Sequence, residues 1–104
     1  MKISRLLTDD AILVEIGERI TRRRIELQLT QADLAKQSGV AKRTVERIEA
    51  GASAQMSSII RIFQVLDLLQ NLDRMIPEAG PGPMELLKRK GKARQRASKS
   101  RKPD

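Results

Sequence analysis

The stretch LTQADLAKQSGVAKRTVERIEAG, Leu29 to Gly51, decides the fold. Thr30 carries a hydroxyl that can cap a helix, and Asp33, three residues on, can reach back to the amide of the cap. Leu34 and Ala35 supply the inward side of the helix that follows. Ala35 is small because another helix must cross closely there. Gly39 comes after Ser38, where this helix has to stop, and glycine takes the left-handed conformation without a side-chain clash. Val40 then packs inward. Val45 and Ile48, three apart, form the inner stripe of a second helix. Lys42, Arg43, Thr44, Glu46 and Arg47 are left facing outward.

Two short helices joined by a glycine turn make a helix-turn-helix, which offers its second helix to the major groove of DNA. At this point the sequence resembles the phage-repressor/Cro class of regulators, the XRE type. Gln31, Ala35, Gly39, Val40, Val45 and Ile48 stand where that class has its typical residues, and RIEAG, Arg47 to Gly51, looks like the usual close of its recognition helix. The resemblance covers Ile12 to Leu69, give or take a few residues. It implies an all-α, phage-repressor-like DNA-binding domain of four to five short helices. It also implies that Gln31 contacts the DNA backbone and braces the recognition helix. Ala41 departs from the pattern, since the class commonly has Ser or Thr there. Alanine cannot cap, at a cost of about 1 kcal/mol, and a hydroxyl that could touch a phosphate is gone.

The chain of 104 residues has room for one small domain and a tail. Its apolar residues are almost all aliphatic, with Phe63 the one aromatic, so the core is small. There is no Cys and no His. That removes disulfides, the usual zinc sites and the common thiol and imidazole chemistries. With no Gly-rich phosphate loop either, no enzyme, metal or cofactor is expected. MKISRLLTDD has no signal-peptide core, and no apolar run is long enough to span a bilayer, so a cytoplasmic, nucleoid-associated protein is expected. The net charge of +8 is uneven: residues 1–77 hold 12 Lys/Arg against 10 Asp/Glu, and residues 78–104 hold 9 against 3. A basic excess of this kind favours polyanions.

Thr8 with Asp9 and Asp10 is a good helix start. The helix is expected to run to about Gln28 with an inward stripe of Leu13, Ile16, Ile20, Arg24 and Leu27. Arg24 interrupts that stripe with a charge, and Glu49 does the same one turn after Val45. Opposite charges on two core-facing stripes predict one buried or half-buried pair, and the regulator class has such a pair at these positions. A loop from Gly51 to Met56 leads to a fourth helix starting near Ser57 or Ser58. The span Ile59 to Ile76 then holds eleven apolar residues, more than one helix face can hide. Ile59, Ile62, Phe63 and Leu66 suffice for the core. Leu68, Leu69, Leu72, Met75 and Ile76 need another surface, and a homodimer is expected there. Pro77 ends the domain, 1–77, whose helix-turn-helix is 30–50. A Pro/Gly linker and a basic segment, 78–104, follow; a turn or two of helix is expected at Met84–Lys90 and disorder from Gly91 onward.

These readings combine into a sequence-specific regulator, expected to be an autorepressor, that inserts Ala41–Ala50 into the major groove of a palindromic operator. Lys42 and Arg43 open the recognition helix and are the candidates for base edges, reading guanine through O6 and N7. Thr44 and Arg47 share that face. Arg22, Arg23, Lys36 and Arg61 are candidates for phosphates. The extra helix and the basic extension are architecturally similar to a HipB-type antitoxin that docks a HipA-type kinase. Two alternatives stay open. One is non-specific or architectural nucleic-acid binding through the basic tail, and the other is an adaptor for a partner protein.

Overall fold

Thr8 accepts a hydrogen bond from the amide of Ala11 and opens the longest helix, α1, Asp9–Glu26. The computed structural model describes residues 1–80. Four shorter helices follow α1: α2, Gln31–Ser38; α3, Lys42–Glu49; α4, Met56–Val65; and α5, Leu69–Met75. Among the described residues there is no strand, so the domain is all-α. The expected helix at Met84–Lys90 and the expected disorder of the basic tail lie outside the described residues.

The local chemistry of α2 explains its sharp borders. The Thr30 hydroxyl accepts from the Asp33 amide, and the Asp33 carboxylate accepts from the Thr30 amide, both at 3.0 Å. At the other end Gly39 takes φ +76 and its amide bonds to the Ala35 carbonyl. The Ser38 hydroxyl, in the core, donates to the Leu34 carbonyl at 2.6 Å, which satisfies its own polarity. By contrast α3 starts from Ala41 with no side-chain cap.

The core is Ile20, Leu34, Ala35, Val45, Ile48, Ile62 and Leu66, with Ile16, Leu29, Val40, Ile59, Phe63, Val65 and Leu68 packed around it. α3 lies against α1 and α2, and α2 lies against α4. The closest approach is at Gly17 of α1, where an added Cβ would stand 2.6 Å from the Ile48 carbonyl oxygen and 2.7 Å from that of Glu49.

Three borders differ from those expected. α1 stops at Glu26, not Gln28, because Gln28 takes φ +60 and turns the chain, with Leu27 as the C-cap. Leu27 therefore lies beyond the helix and is exposed, and Leu13 is half-buried; the fully buried α1 positions are Glu15, Gly17 and Ile20. α4 begins at Met56, one residue or two before the expected start. The apolar span then breaks in two, with Asp67 at φ +59 between α4 and α5. That break packs Leu68 against the core as a partly buried residue. Leu69, Met75 and Ile76 remain exposed and Leu72 half-buried. The principal contact of α5 is with α4, and none of its residues is fully buried. No helix among the described residues is long and apolar enough to cross a membrane.

Candidate nucleic-acid interface

Helix α3 has two unlike sides. Val45 is 0% exposed and Ile48 3%, which seats one side in the core. The other side carries Lys42, Arg43, Glu46 and Arg47, all exposed, with Thr44 half-buried at its border. Lys42 Nζ lies 3.8 Å from Glu46 Oε2, one helical turn along, so its charge is partly matched. Arg43 and Arg47 have no carboxylate within ion-pair distance among the described residues. Both arginines line a shallow groove with Ala41 and Thr44, whose far wall is Ser53, Ala54, Gln55 and Ser58. That wall was not legible in the sequence, because it comes from the loop after α3 and from the first turn of α4, which fold back beside α3.

Behind α3 sits a charged network. Arg24 Nε donates to Glu49 Oε2 at 2.7 Å and Nη2 to Oε1 at 3.1 Å, a bidentate pair with the two side chains 12% and 6% exposed. Arg24 Nη1 donates to the Leu29 carbonyl at 2.8 Å. The guanidinium is therefore turned inward, away from any ligand on the α3 surface. Gln31 Nε2 joins the network, donating to Glu49 Oε1 at 2.9 Å. Burial pushes the Glu49 carboxyl up, but the hydrogen bonds from Arg24 and Gln31 outweigh it and hold the group below its ordinary value. The Glu49 carboxylate is thus the point where α1, α2 and α3 are tied together.

Among the expected phosphate contacts, Arg22, Lys36 and Arg61 are exposed. Arg23 is engaged otherwise: its Nε donates to the Leu66 carbonyl at 2.9 Å, at the C-terminal end of α4. A second charged cluster was missed. Glu15, buried, accepts from Arg19 Nε at 3.0 Å, and Arg19 Nη2 donates to the Met1 carbonyl at 2.7 Å, which fastens the leading segment to α1. The i, i+4 spacing of Glu15 and Arg19 was the available signal.

Residues 20–69 match the family model described as helix-turn-helix. The chain carries a helix-turn-helix domain. The matched segment opens at Ile20, a buried residue of α1, and closes at Leu69, where α5 begins. A helix-turn-helix domain suggests a DNA-binding transcription regulator. A solved structure of the SinR protein/SinI protein complex is also similar, at 22% identity and a TM-score of 0.47, covering 81% of this chain and 99% of that one.

Proposed function

We propose that this protein is a sequence-specific regulator that binds duplex DNA as a homodimer, laying Ala41–Ala50 in the major groove, and that it represses its own operon. The observation that carries the reading is the two-sidedness of α3. Its inner side is locked in the core, while on the outer side Arg43 and Arg47 have no carboxylate partner among the described residues. Guanidinium groups so placed suit the paired O6 and N7 acceptors of guanine. Lys42 and Thr44 complete the proposed reading face, and Gln31, at the start of α2, meets the backbone. Footprinting on the DNA upstream of its own gene tests this, with a scrambled duplex as control. Equal affinity for both duplexes would leave only a non-specific binder.

Arg43→Ala is expected to cost about 1–3 kcal/mol on the operator and to relax discrimination at one base pair in each half-site. Competition binding against operators substituted at each position measures it. A uniform loss across all sequences would reassign Arg43 to the backbone.

The homodimer reading rests on α5, whose Met75 is 57% exposed and Ile76 68%, beside exposed Leu69. Two half-sites require two readers, and a symmetric pairing of this apolar face supplies them. Leu69→Glu combined with Leu72→Glu is expected to give monomers in sedimentation velocity and to weaken operator binding. An unaltered dimer would move the interface elsewhere.

A protein partner belongs to the same reading. The charge excess of residues 78–104 suits an antitoxin whose basic segment docks a HipA-type kinase. Removal of 88–104 would then abolish co-purification with the product of the neighbouring gene while leaving operator affinity in place.

A further inference from the structure

The groove beside α3 has a far wall with no duty so far. Ser53 stands on that wall and shares the groove with Arg43 and Arg47. The chain fixes Ser53 there from both sides. The amide of Ala52 donates to the Arg47 carbonyl at 2.9 Å, which holds the next residue beside that arginine. Two residues on, Gln55 is the N-cap of α4 and makes no side-chain cap bond. Ser53 itself lies outside any helix and is exposed, so a modifying enzyme can reach its hydroxyl. Across from it are two guanidinium groups that have no carboxylate partner among the described residues. Lys42, Arg43 and Arg47 against Glu46 give the outer side of α3 a net charge of +2. A phosphoserine carries about −2 at neutral pH, enough to cancel it.

We propose that Ser53 is a phosphorylation site, and that its phosphate pairs with Arg43 and Arg47 and so withdraws both from DNA. The co-reactant is a nucleoside triphosphate, brought by a protein kinase. The Ser53 hydroxyl oxygen bonds to the γ-phosphorus as the bond to the bridging oxygen breaks. Nucleoside diphosphate leaves, and the hydroxyl proton passes to a base of the kinase. Guanidinium forks match phosphate oxygens two at a time, so the new dianion is held within the groove. The positive end of α4, beginning three residues on at Met56, favours it further. The consequence for DNA rests on the regulator reading above and adds its control: the reading face is filled by an anion of its own chain.

The test uses the full chain made with phosphoserine at position 53. Its phosphate is titrated by ³¹P resonance. The second pKa is expected below that of an unpaired phosphoserine, because the guanidinium groups favour the dianion. It should return to the ordinary value when Arg43→Gln and Arg47→Gln are combined. A titration that the two substitutions do not move overturns the pairing. The second probe is a labelled duplex that the unmodified chain selects from a random pool. The phosphorylated chain is expected to bind it about a hundredfold more weakly, as for the loss of two base contacts, with a melting temperature no lower. Equal affinity overturns the inference. Mass spectrometry of the chain purified from its own cells, growing and resting, should find a fraction with phosphate on Ser53. Phosphate on other residues only, or on none, overturns the assignment. An unmodified chain that selects no duplex overturns the DNA reading and the control with it, whereas a selected duplex bound equally by both forms overturns the control alone.

Discussion

Arg24→Ala is expected to destabilise the domain by about 3–5 kcal/mol, the usual consequence of leaving one charge of a buried pair without its partner. The site meets the conditions for that magnitude. Both side chains are nearly covered, the pair is bidentate, and Arg24 also satisfies the Leu29 carbonyl, which closes the turn between α1 and α2. Thermal and denaturant melts measure the loss. Unchanged melts with weakened DNA binding would show that Arg24 serves the ligand. The pH dependence supplies an independent sign. In the wild type Glu49 is held below its ordinary value of 4.5. Its contribution to stability is therefore fully present above the unfolded-state value and is lost as pH falls through the lower folded value. With Arg24 removed, burial dominates and raises the carboxyl. Protonation then relieves the variant, so the stability gap between variant and wild type narrows on acidification.

Gly17→Ala is expected to be the most damaging single methyl group that can be added to the domain. The new Cβ would meet the carbonyl oxygens of Ile48 and Glu49 at 2.6 and 2.7 Å, well inside van der Waals contact. Those oxygens belong to the backbone of α3 and cannot swing aside as a side chain can. α1 and α3 must separate, which disturbs the core at Ile20 and Ile48. Overpacking of this kind costs about 1–3 kcal/mol and sometimes more, against about 1 kcal/mol gained from replacing glycine in a helix interior. Gly17→Val adds bulk and should prevent a cooperative melt near ambient temperature. Operator affinity should fall along with stability, since α3 is the element displaced. A Gly17→Ala variant more stable than wild type, as helix propensity alone would give, would show that the two helices can part cheaply.

Much of the helix-turn-helix was legible because its residues have jobs that few others can do. Thr30 and Asp33 cap each other, Gly39 takes a left-handed turn, and Val45 and Ile48 share one face. Each is a local constraint, and local constraints are what a sequence displays. The charges of Arg24 and Glu49 could be singled out because each stood within an apolar stripe. The unread features depend on distant backbone. The left-handed Gln28 and Asp67 end α1 and separate α4 from α5, yet neither is Gly nor stands beside Pro. Asp67 is of a type that tolerates that conformation, but an apolar run around it gives no reason to expect a break. Leu68 was assigned outward for that reason, since without the break it sits on the wrong side of a continuous helix. Gly17 was the missed signal with the plainest chemistry. Glycine inside a long helix is unfavourable on its own, so its presence marks a close approach. The far wall of the α3 groove, Ser53 to Ser58, required knowing how the chain returns after Gly51.

The uncapped start of α3 has a bearing on how the domain breathes. The last turn of this helix is clamped beneath Gly17 and chained to Arg24 and Gln31 through Glu49. Its first turn has only Ala41 ahead of it, and no side chain takes up the amides there. Opening is therefore cheapest at the Lys42–Arg43 end and most costly at the Ile48–Glu49 end, a gradient that runs along one eight-residue helix. Amide hydrogen exchange should register it as rapid exchange at Lys42 and Arg43 and strong protection from Val45 onward. The side chains that open the helix are carried on its most pliant turn, while its far end serves as a fixed hinge.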